Sequence, residues 1–159
     1  MLYCIYKEKG NRKMIVIASD HGGFALKQEI MAHLRQRGVD FEDIGTYDES
    51  SCDYPDYGEK AARAVVAGTY ERGILICGTG IGISIAANKV NGARCALCAD
   101  CFSAEMSRAH NDANLLALGG RTIGPELAKR IVDLFLDTEF LGGRHAKRIG
   151  KFTDIEKRN

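Results

Sequence analysis

The residue best placed for chemistry in this sequence is a cysteine at the end of an apolar run. Cys77 closes the run 73–77, and a glycine then stands at every second position from 78 to 82. Glycines spaced in this way let successive backbone N–H groups point into one space, and the predicted helix behind them adds the positive end of its dipole. These donors would stabilise a thiolate at Cys77, or an anion formed during a reaction. Cys77 is therefore expected to be a nucleophile, a metal ligand or a base, unless it is simply a small buried residue.

The glycine turn does not match the two common nucleotide-binding motifs. A Walker A loop places Lys and then Ser or Thr after its last glycine, whereas Ile83-Ser84 stands there in this chain. The dinucleotide fingerprint needs a third glycine where Ile83 stands, and it follows the first strand, whereas this turn follows the third. Of its features, only the acidic residue about 20 positions further on is present, as Asp100. The turn is predicted to be either a tight strand-to-helix connection or an anion-binding site.

Further segments place polar side chains beside glycines or at the ends of predicted helices. Arg144 and Arg148 are four residues apart, so they would share one face of a helix, and Arg121 follows a Gly-Gly pair. Three guanidinium groups suit a phosphate dianion, which they bind through paired hydrogen bonds. The alternative is a solvated basic surface, and either histidine of interest, His21 or His110, could equally be structural.

Three cysteines recur at intervals of three residues, which resembles part of an iron–sulfur ligand run. These are Cys95, Cys98 and Cys101, and no fourth cysteine follows at the required spacing. A strand over residues 94–99 would also point Cys95 and Cys98 to opposite faces of a sheet. We expect structural thiols, with a redox or iron–sulfur protein as the less favoured hypothesis.

Apolar runs alternate with amphipathic segments along the chain, which predicts βαβ units. Strands are predicted at 14–18, 39–44, 73–77, 94–99 and 115–118, and helices at 24–36, 56–68, 83–89, 103–109, from 124 onwards and at about 144–157. The result would be a single α/β domain with a five-stranded parallel sheet covered on both faces. In such sheets the ligand binds at the carboxyl ends of the strands.

Composition narrows the class of protein. The 22 basic and 21 acidic residues nearly cancel, whereas proteins that bind nucleic acids or membrane surfaces usually carry a one-sided excess. Residues 1–13 are too charged for a secretory signal, and the longest uncharged stretch, 73–88, is shorter than the roughly 20 residues of a membrane helix. We expect a cytoplasmic protein with reduced thiols, in which 1–13 is an N-terminal extension and 14–159 the functional domain.

Taken together, the motifs resemble the ribose-5-phosphate isomerase B family, which also includes allose-6-phosphate and galactose-6-phosphate isomerases. The resemblance covers about residues 14–155 and rests on the segments Asp20-His21-Gly22-Gly23, Asp53-Tyr54-Pro55, Cys77-Gly78-Thr79-Gly80-Ile81-Gly82, Ala86-Ala87-Asn88-Lys89, His110-Asn111 and Gly142-Gly143-Arg144-His145. It implies a Rossmann-like α/β/α sandwich, which the alternation of elements predicts independently. It also implies a homodimer, in some members a tetramer, with active sites shared between subunits and with no metal or nucleotide.

The resemblance also implies a role for each site residue. Cys77 would be the base that moves a proton between C1 and C2; in another branch that position is Ser and a Glu stands where this chain has Ile81, so this chain resembles the cysteine branch. Thr79 and the amides of the turn would stabilise the enediolate, and His110 would open the furanose ring. The remaining predicted contacts to substrate are Asp20 and Asn111 at the sugar hydroxyls, His21, Arg121, Arg144 and Arg148 at the phosphate, and Tyr54, Gly78, Gly80, Gly82 and Ser84 around the pocket.

The leading hypothesis is interconversion of D-ribose 5-phosphate and D-ribulose 5-phosphate, a reaction of the pentose phosphate pathway, through a cis-enediolate. A phosphohexose isomerase is the alternative within the same class, and a non-catalytic sugar-phosphate or nucleotide-binding module is the alternative from another class. The hypothesis requires a cavity that joins the sulfur of Cys77 to Arg144 and Arg148.

Overall fold

Five parallel strands form the centre of the protein in a computed structural model that describes residues 14–159. In chain order they are β1 (Ile15–Ser19), β2 (Phe41–Asp43), β3 (Arg72–Cys77), β4 (Cys95–Leu97) and β5 (Leu115–Gly119). They pair side by side in the order β2-β1-β3-β5-β4. The predicted five-stranded parallel sheet is therefore confirmed, while the extension predicted at residues 1–13 lies outside the described residues.

Six α-helices connect and flank the strands. They are α1 (Phe24–Gln36), α2 (Tyr54–Val66), α3 (Ile81–Asn88), α4 (Cys101–Ala109), α5 (Pro125–Asp137) and α6 (Arg144–Glu156), and a short 3-10 turn covers His21–Gly23. Helices α2, α3 and α4 each begin two residues earlier than predicted. Pro55 occupies the first turn of α2, where its missing N–H costs nothing, and the Asp100 carboxylate caps α4 by accepting from Ser103 N–H at 2.7 Å.

The sheet is buried on both faces, as its nearly continuous apolar strands predict. Along β1, Ile15 and Ile17 pack on one side with α1, α4 and α5, whereas Val16 and Ala18 pack on the other side with α2 and α3. This alternation follows from the two-residue period of a strand. Within the described residues, α6 contributes no side chain to either apolar cluster, and its buried residue is His145.

The order of the strands determines where a ligand can enter. The chain runs from β1 outwards to β2, and then crosses to the other side of β1 to form β3. The connections that leave β1 and β3 therefore go to opposite faces and open a crevice between the carboxyl ends of these two strands. Asp20 follows one of these ends and Cys77 is the last residue of the other.

Candidate active site

Glycines bring the backbones after β1 and β3 into close contact at the crevice. A Cβ atom added to Gly22 would lie 3.1 Å from Gly78 N, and one added to Gly23 would collide with the Ile76 carbonyl. Asp20 N–H also donates to Ile76 O at 3.2 Å across this boundary. The motif after β1 and the turn after β3 therefore form one continuous surface.

The sulfur of Cys77 receives a hydrogen bond from the glycine turn. Gly80 N–H donates to Cys77 Sγ at 3.1 Å, and the cysteine is 4% exposed. Gly80 adopts φ 76°, a left-handed conformation that favours glycine, and a Cβ there would lie 2.9 Å from the Leu118 carbonyl carbon. An amide aimed at the sulfur stabilises negative charge on it, as does the start of α3 beside it.

The other residues of the turn surround this sulfur. Thr79 is exposed, and its hydroxyl oxygen accepts from Ile81 N–H at 3.3 Å. Gly82 lies under the ring of Tyr54, since a Cβ there would be 2.5 Å from Tyr54 Cζ. Ser84 is buried in the first turn of α3, and its hydroxyl donates to Ile81 O at 2.8 Å. Its proton is thus used within the helix, whereas Thr79 and Tyr54 remain open to a ligand.

Arg121 extends over the same turn from the end of β5. Its backbone N–H donates to Gly78 O at 2.9 Å, and the preceding Gly120 N–H donates to Cys77 O at 2.8 Å. Added Cβ atoms at Gly78 and Gly22 would lie 3.3 Å and 3.4 Å from its guanidinium nitrogens. An exposed guanidinium is therefore placed above the glycines of both neighbouring segments.

Asp20 and His21 line the β1 side of the crevice. Asp20 is buried, and its Oδ1 accepts from Gly23 N–H at 3.0 Å. His21 Nδ1 accepts from Cys52 N–H at 3.2 Å. Because Nδ1 is an acceptor, the neutral ring carries its proton on Nε2, which leaves a donor for an anionic ligand.

A buried lysine that we did not single out from the sequence holds the loop containing Cys52. The Lys27 side chain is fully buried, and its Nζ donates to Asp43 Oδ1 at 2.6 Å and to Thr46 O. The same Asp43 oxygen accepts from Gly45 N–H at 2.9 Å. A buried ammonium needs such partners, and here they fix the chain that leaves β2 towards His21.

The remaining predicted site residues lie at the opposite edge of the sheet. Helix α4 starts at the carboxyl edge and runs back across the sheet, so His110 and Asn111 at its end lie at the amino edge. Arg94, just before β4, donates to Asn111 O and Asp112 O there. Leu141 N–H donates to Ala109 O at 3.0 Å, which brings the start of α6, with Arg144 and Arg148, to the same place.

Within residues 14–159, Cys77 and the pair Arg144 and Arg148 therefore lie at opposite edges of the sheet, and the predicted cavity does not join them. A strand of five residues such as β5 separates the two edges by about 15 Å. That these side chains surround one ligand stays a prediction, and it requires the sites shared between subunits that the family resemblance implies, because sequence motifs do not record which sheet edge an element ends on. The carboxyl edge carries Asp20, His21, Tyr54, Cys77, Thr79 and Arg121, and the amino edge carries His110, Asn111, Arg144 and Arg148.

His145 is a second residue that sequence reasoning left without a role. Its ring stacks on that of His110 with centroids 4.2 Å apart and planes inclined by 7°. Burial lowers the pKa of His145, and the neighbouring His110, Arg144 and Arg148 lower it further. The available sequence signal was its position between the two arginines of the segment Arg144–Arg148.

Two of the three closely spaced cysteines, Cys95 and Cys98, have the properties of structural thiols. Cys98 packs on one face of the sheet and Cys95 on the other, as predicted. Burial raises the pKa of Cys98 to about 11 and also raises that of Cys95. Residues 14–159 contain no group of three or more His, Cys, Asp or Glu side chains arranged to hold a metal ion.

A helix that crosses a bilayer has to be long and apolar. Of the helices in the described part of the chain, none has an apolar stretch long enough to span a membrane.

Comparison with known proteins gives concordant results. The family described as Ribose/Galactose Isomerase matches residues 15–152. Ribose-5-phosphate isomerase B of Escherichia coli is 52% identical over 146 residues, which cover 92% of this chain and 98% of that protein.

Solved structures agree with the sequence matches. Ribose-5-phosphate isomerase B of Clostridium thermocellum superimposes with a TM-score of 0.90 at 57% identity, covering 91% of this chain and 98% of that one. The enzyme of Mycoplasma genitalium with bound ribulose-5-phosphate gives a TM-score of 0.87 at 41% identity, covering 92% of this chain and 97% of that one.

Proposed function

The chain belongs to the ribose/galactose isomerase family, and on this basis we propose that it interconverts D-ribose 5-phosphate and D-ribulose 5-phosphate. The observation that carries the proposal is the hydrogen bond from Gly80 N–H to Cys77 Sγ at the crevice between β1 and β3. It places a stabilised sulfur where a ligand of this fold binds. The names of the relatives, which specify ribose 5-phosphate, support the pentose as substrate.

In the proposed reaction the Cys77 thiolate is the base. It removes the proton from C2 of the open-chain aldose, and the electron pair moves towards the carbonyl to form the cis-enediolate. Backbone amides of Gly78, Gly80 and Gly82, with Thr79, stabilise the developing negative charge. A proton passes from O2 to O1 of the enediolate, and the thiol returns the abstracted proton to C1, which yields the ketose and regenerates the thiolate. The proposed reaction uses no cofactor, because side chains and backbone amides supply both the proton transfer and the charge stabilisation.

Binding of the phosphate, which is remote from the reacting carbons, orients the sugar in the site. His21 has its Nε2–H to donate, because its Nδ1 accepts from Cys52 N–H, and the Arg121 guanidinium lies over Gly22 and Gly78. Their interactions with the phosphate place C1 and C2 of the sugar at the sulfur. Asp20, at the base of the same crevice, is assigned to the sugar hydroxyls.

A second copy of the chain completes the site in this proposal. His110, Asn111, Arg144 and Arg148 lie at the far edge of their own sheet, where they cannot reach their own Cys77. In a dimer with two-fold symmetry, the carboxyl edge of one subunit can face the amino edge of its partner. The symmetry repeats this contact, so that two equivalent sites form. The partner's His110 then opens the furanose ring, and the partner's Arg144 and Arg148 add to the phosphate site.

Exposed apolar side chains around the crevice fit such a dimer. Ile81 and Ile85, four residues apart on α3, are about half exposed, and Leu97 at the end of the outer strand β4 and Phe102 on α4 are also exposed. Leu97 contacts the turn itself, since a Cβ on Gly80 would lie 2.5 Å from its side chain. Several large apolar side chains exposed near one site are typical of a protein interface. We also assign the enzyme to the cytoplasm, where reducing conditions keep Cys77 free.

The test is isomerase activity of the purified protein and of two cysteine variants. Cys77→Ala should lower kcat with ribose 5-phosphate by about 100- to 10,000-fold, because it removes the base. Cys101→Ser, which replaces a partly exposed thiol at the start of α4, is the matched control and should retain activity. Ribulose 5-phosphate formation is measured directly, beside turnover of allose 6-phosphate and galactose 6-phosphate.

Each outcome separates the hypotheses. Wild-type turnover by Cys77→Ala would refute the base. Faster turnover of a hexose phosphate than of ribose 5-phosphate would show that the substrate is a hexose phosphate. Binding of sugar phosphate without turnover by the unaltered protein would indicate a binding module.

A further inference from the structure

The two stacked histidines at the amino edge are held by contacts beyond the stack itself. His110 ends α4, and its N–H donates to Met106 O at 2.9 Å. Leu141 N–H donates to Ala109 O, and His145 N–H then donates to Gly142 O at 3.0 Å. The start of α6 is thereby fixed against the end of α4, with the two rings face to face.

His145 differs from its neighbours in α6. It is 8% exposed, whereas Arg144 and Arg148 on the same turn are exposed. The burial of an imidazole on a helix that otherwise packs outside the apolar clusters indicates that the ring is used as a packing surface. The exposed arginines remain available to an anion, whereas the His145 ring is buried against its neighbours.

The electrostatic surroundings keep the His145 ring neutral. Burial lowers its pKa, and so do His110 on α4 and Arg144 and Arg148 on its own helix. A neutral aromatic face 4.2 Å from His110 attracts a cation more strongly than a charged ring would. His145 therefore offers His110 an uncharged stacking surface.

We propose that His145 is a positioning residue for His110, whose ring plane it fixes by stacking. This inference rests on the proposed function, since it assigns His145 a part in opening the furanose ring. His145 does not touch the substrate. It restricts rotation of the imidazole of His110, the residue that follows the last residue of α4.

The test is a double-mutant cycle in the complete dimeric enzyme with ribose 5-phosphate as substrate. His145→Ala should lower kcat about 10-fold and leave KM within about twofold, because the phosphate contacts are untouched. His145→Phe keeps a flat ring and should retain kcat within about threefold. Since His145 acts through His110, His110→Ala/His145→Ala should be no slower than His110→Ala alone.

Two controls separate positioning from general destabilisation. Lys147→Ala changes an exposed residue of the same helix and should leave kcat and KM unchanged. Thermal unfolding and sedimentation are measured for every variant. If His145→Ala unfolds at the assay temperature, His145→Leu, which fills a similar volume without a flat ring, replaces it and should show the same loss.

The results distinguish failure of this inference from failure of the proposed function. The positioning role would be overturned if His145→Ala lowered kcat by the same factor in the unaltered enzyme and in His110→Ala. It would also be overturned if His145→Phe lowered kcat as much as His145→Ala. In both cases the isomerase activity itself would stand. Absence of isomerase activity in the unaltered protein would instead reject the function on which it rests.

Discussion

Gly23 illustrates how single residues determine whether the crevice can form. Its Cα faces the backbone of Ile76, so that any side chain would displace one of the two strands that meet there. The residue is buried and precedes α1 directly. Absence of a side chain, rather than a special backbone angle, is what this position requires.

We expect Gly23→Ala to destabilise the fold by about 3 kcal/mol, the upper end of the usual cost of overpacking, because its Cβ would overlap a backbone carbonyl that cannot move independently. Urea denaturation measures the change. Gly150→Ala is the matched control: it lies in α6 with no atom within 4 Å of the added Cβ, and alanine there should stabilise by about 0.5–1 kcal/mol. Equal free energies of unfolding for the two variants would contradict this account.

Short edge strands depend on side chains from other elements. Strand β2 pairs with β1 over three residues, and Tyr70, in the turn before β3, donates from its hydroxyl to Glu42 Oε2 at 2.7 Å. At the other edge, the Asn88 amide pairs with both N–H and C=O of Cys95, at 2.8 Å and 2.9 Å. That side chain occupies the place of a neighbouring strand and so protects the edge.

The Tyr70–Glu42 hydrogen bond predicts a pH-dependent contribution to stability. The hydrogen bond that Tyr70 donates to Glu42, together with burial, raises the pKa of Tyr70 from 10.0 to about 12. A raised pKa in the folded protein means that the contribution is complete below about pH 10 and is lost as pH rises through about 12. Tyr70→Phe should cost about 1 kcal/mol at pH 7, and the difference from the unaltered protein should shrink between these pH values. Urea denaturation at several pH values tests this, and a constant difference would contradict it.

At the scale of the whole molecule, the separation of the site residues between two sheet edges predicts complementation. Cys77→Ala and His110→Ala chains, carrying different affinity tags, are produced together and the mixed dimer is purified. Each mixed dimer contains one site with an intact Cys77 from one chain and an intact His110 from the other. Its activity should be about half that of the unaltered dimer. Activity no higher than that of the two separate variants would show that each chain supplies its own pair.

Much of the fold could be predicted because its signals are local. Every predicted helix and strand is present, and differences at their ends have local causes, such as Pro55 in the first turn of α2. Periodicity is less informative about which residues of α5 are buried: Leu127 is 38% exposed, while Ala128 and Val132 are buried beside Ile131. Periodicity fixes that a helix has an apolar face, but its angular position depends on the neighbouring helices.

The sequence by itself determined the alternation of elements, the position of Cys77 at a strand end and the glycines that aim an amide at its sulfur, because each depends on residues close together in the chain. Tertiary structure alone decided that His110 and Arg144 lie across the sheet from Cys77, that Lys27 is buried, and that His145 stacks on His110. Those relations depend on strand order and on the direction in which each helix returns across the sheet, which join residues far apart in sequence.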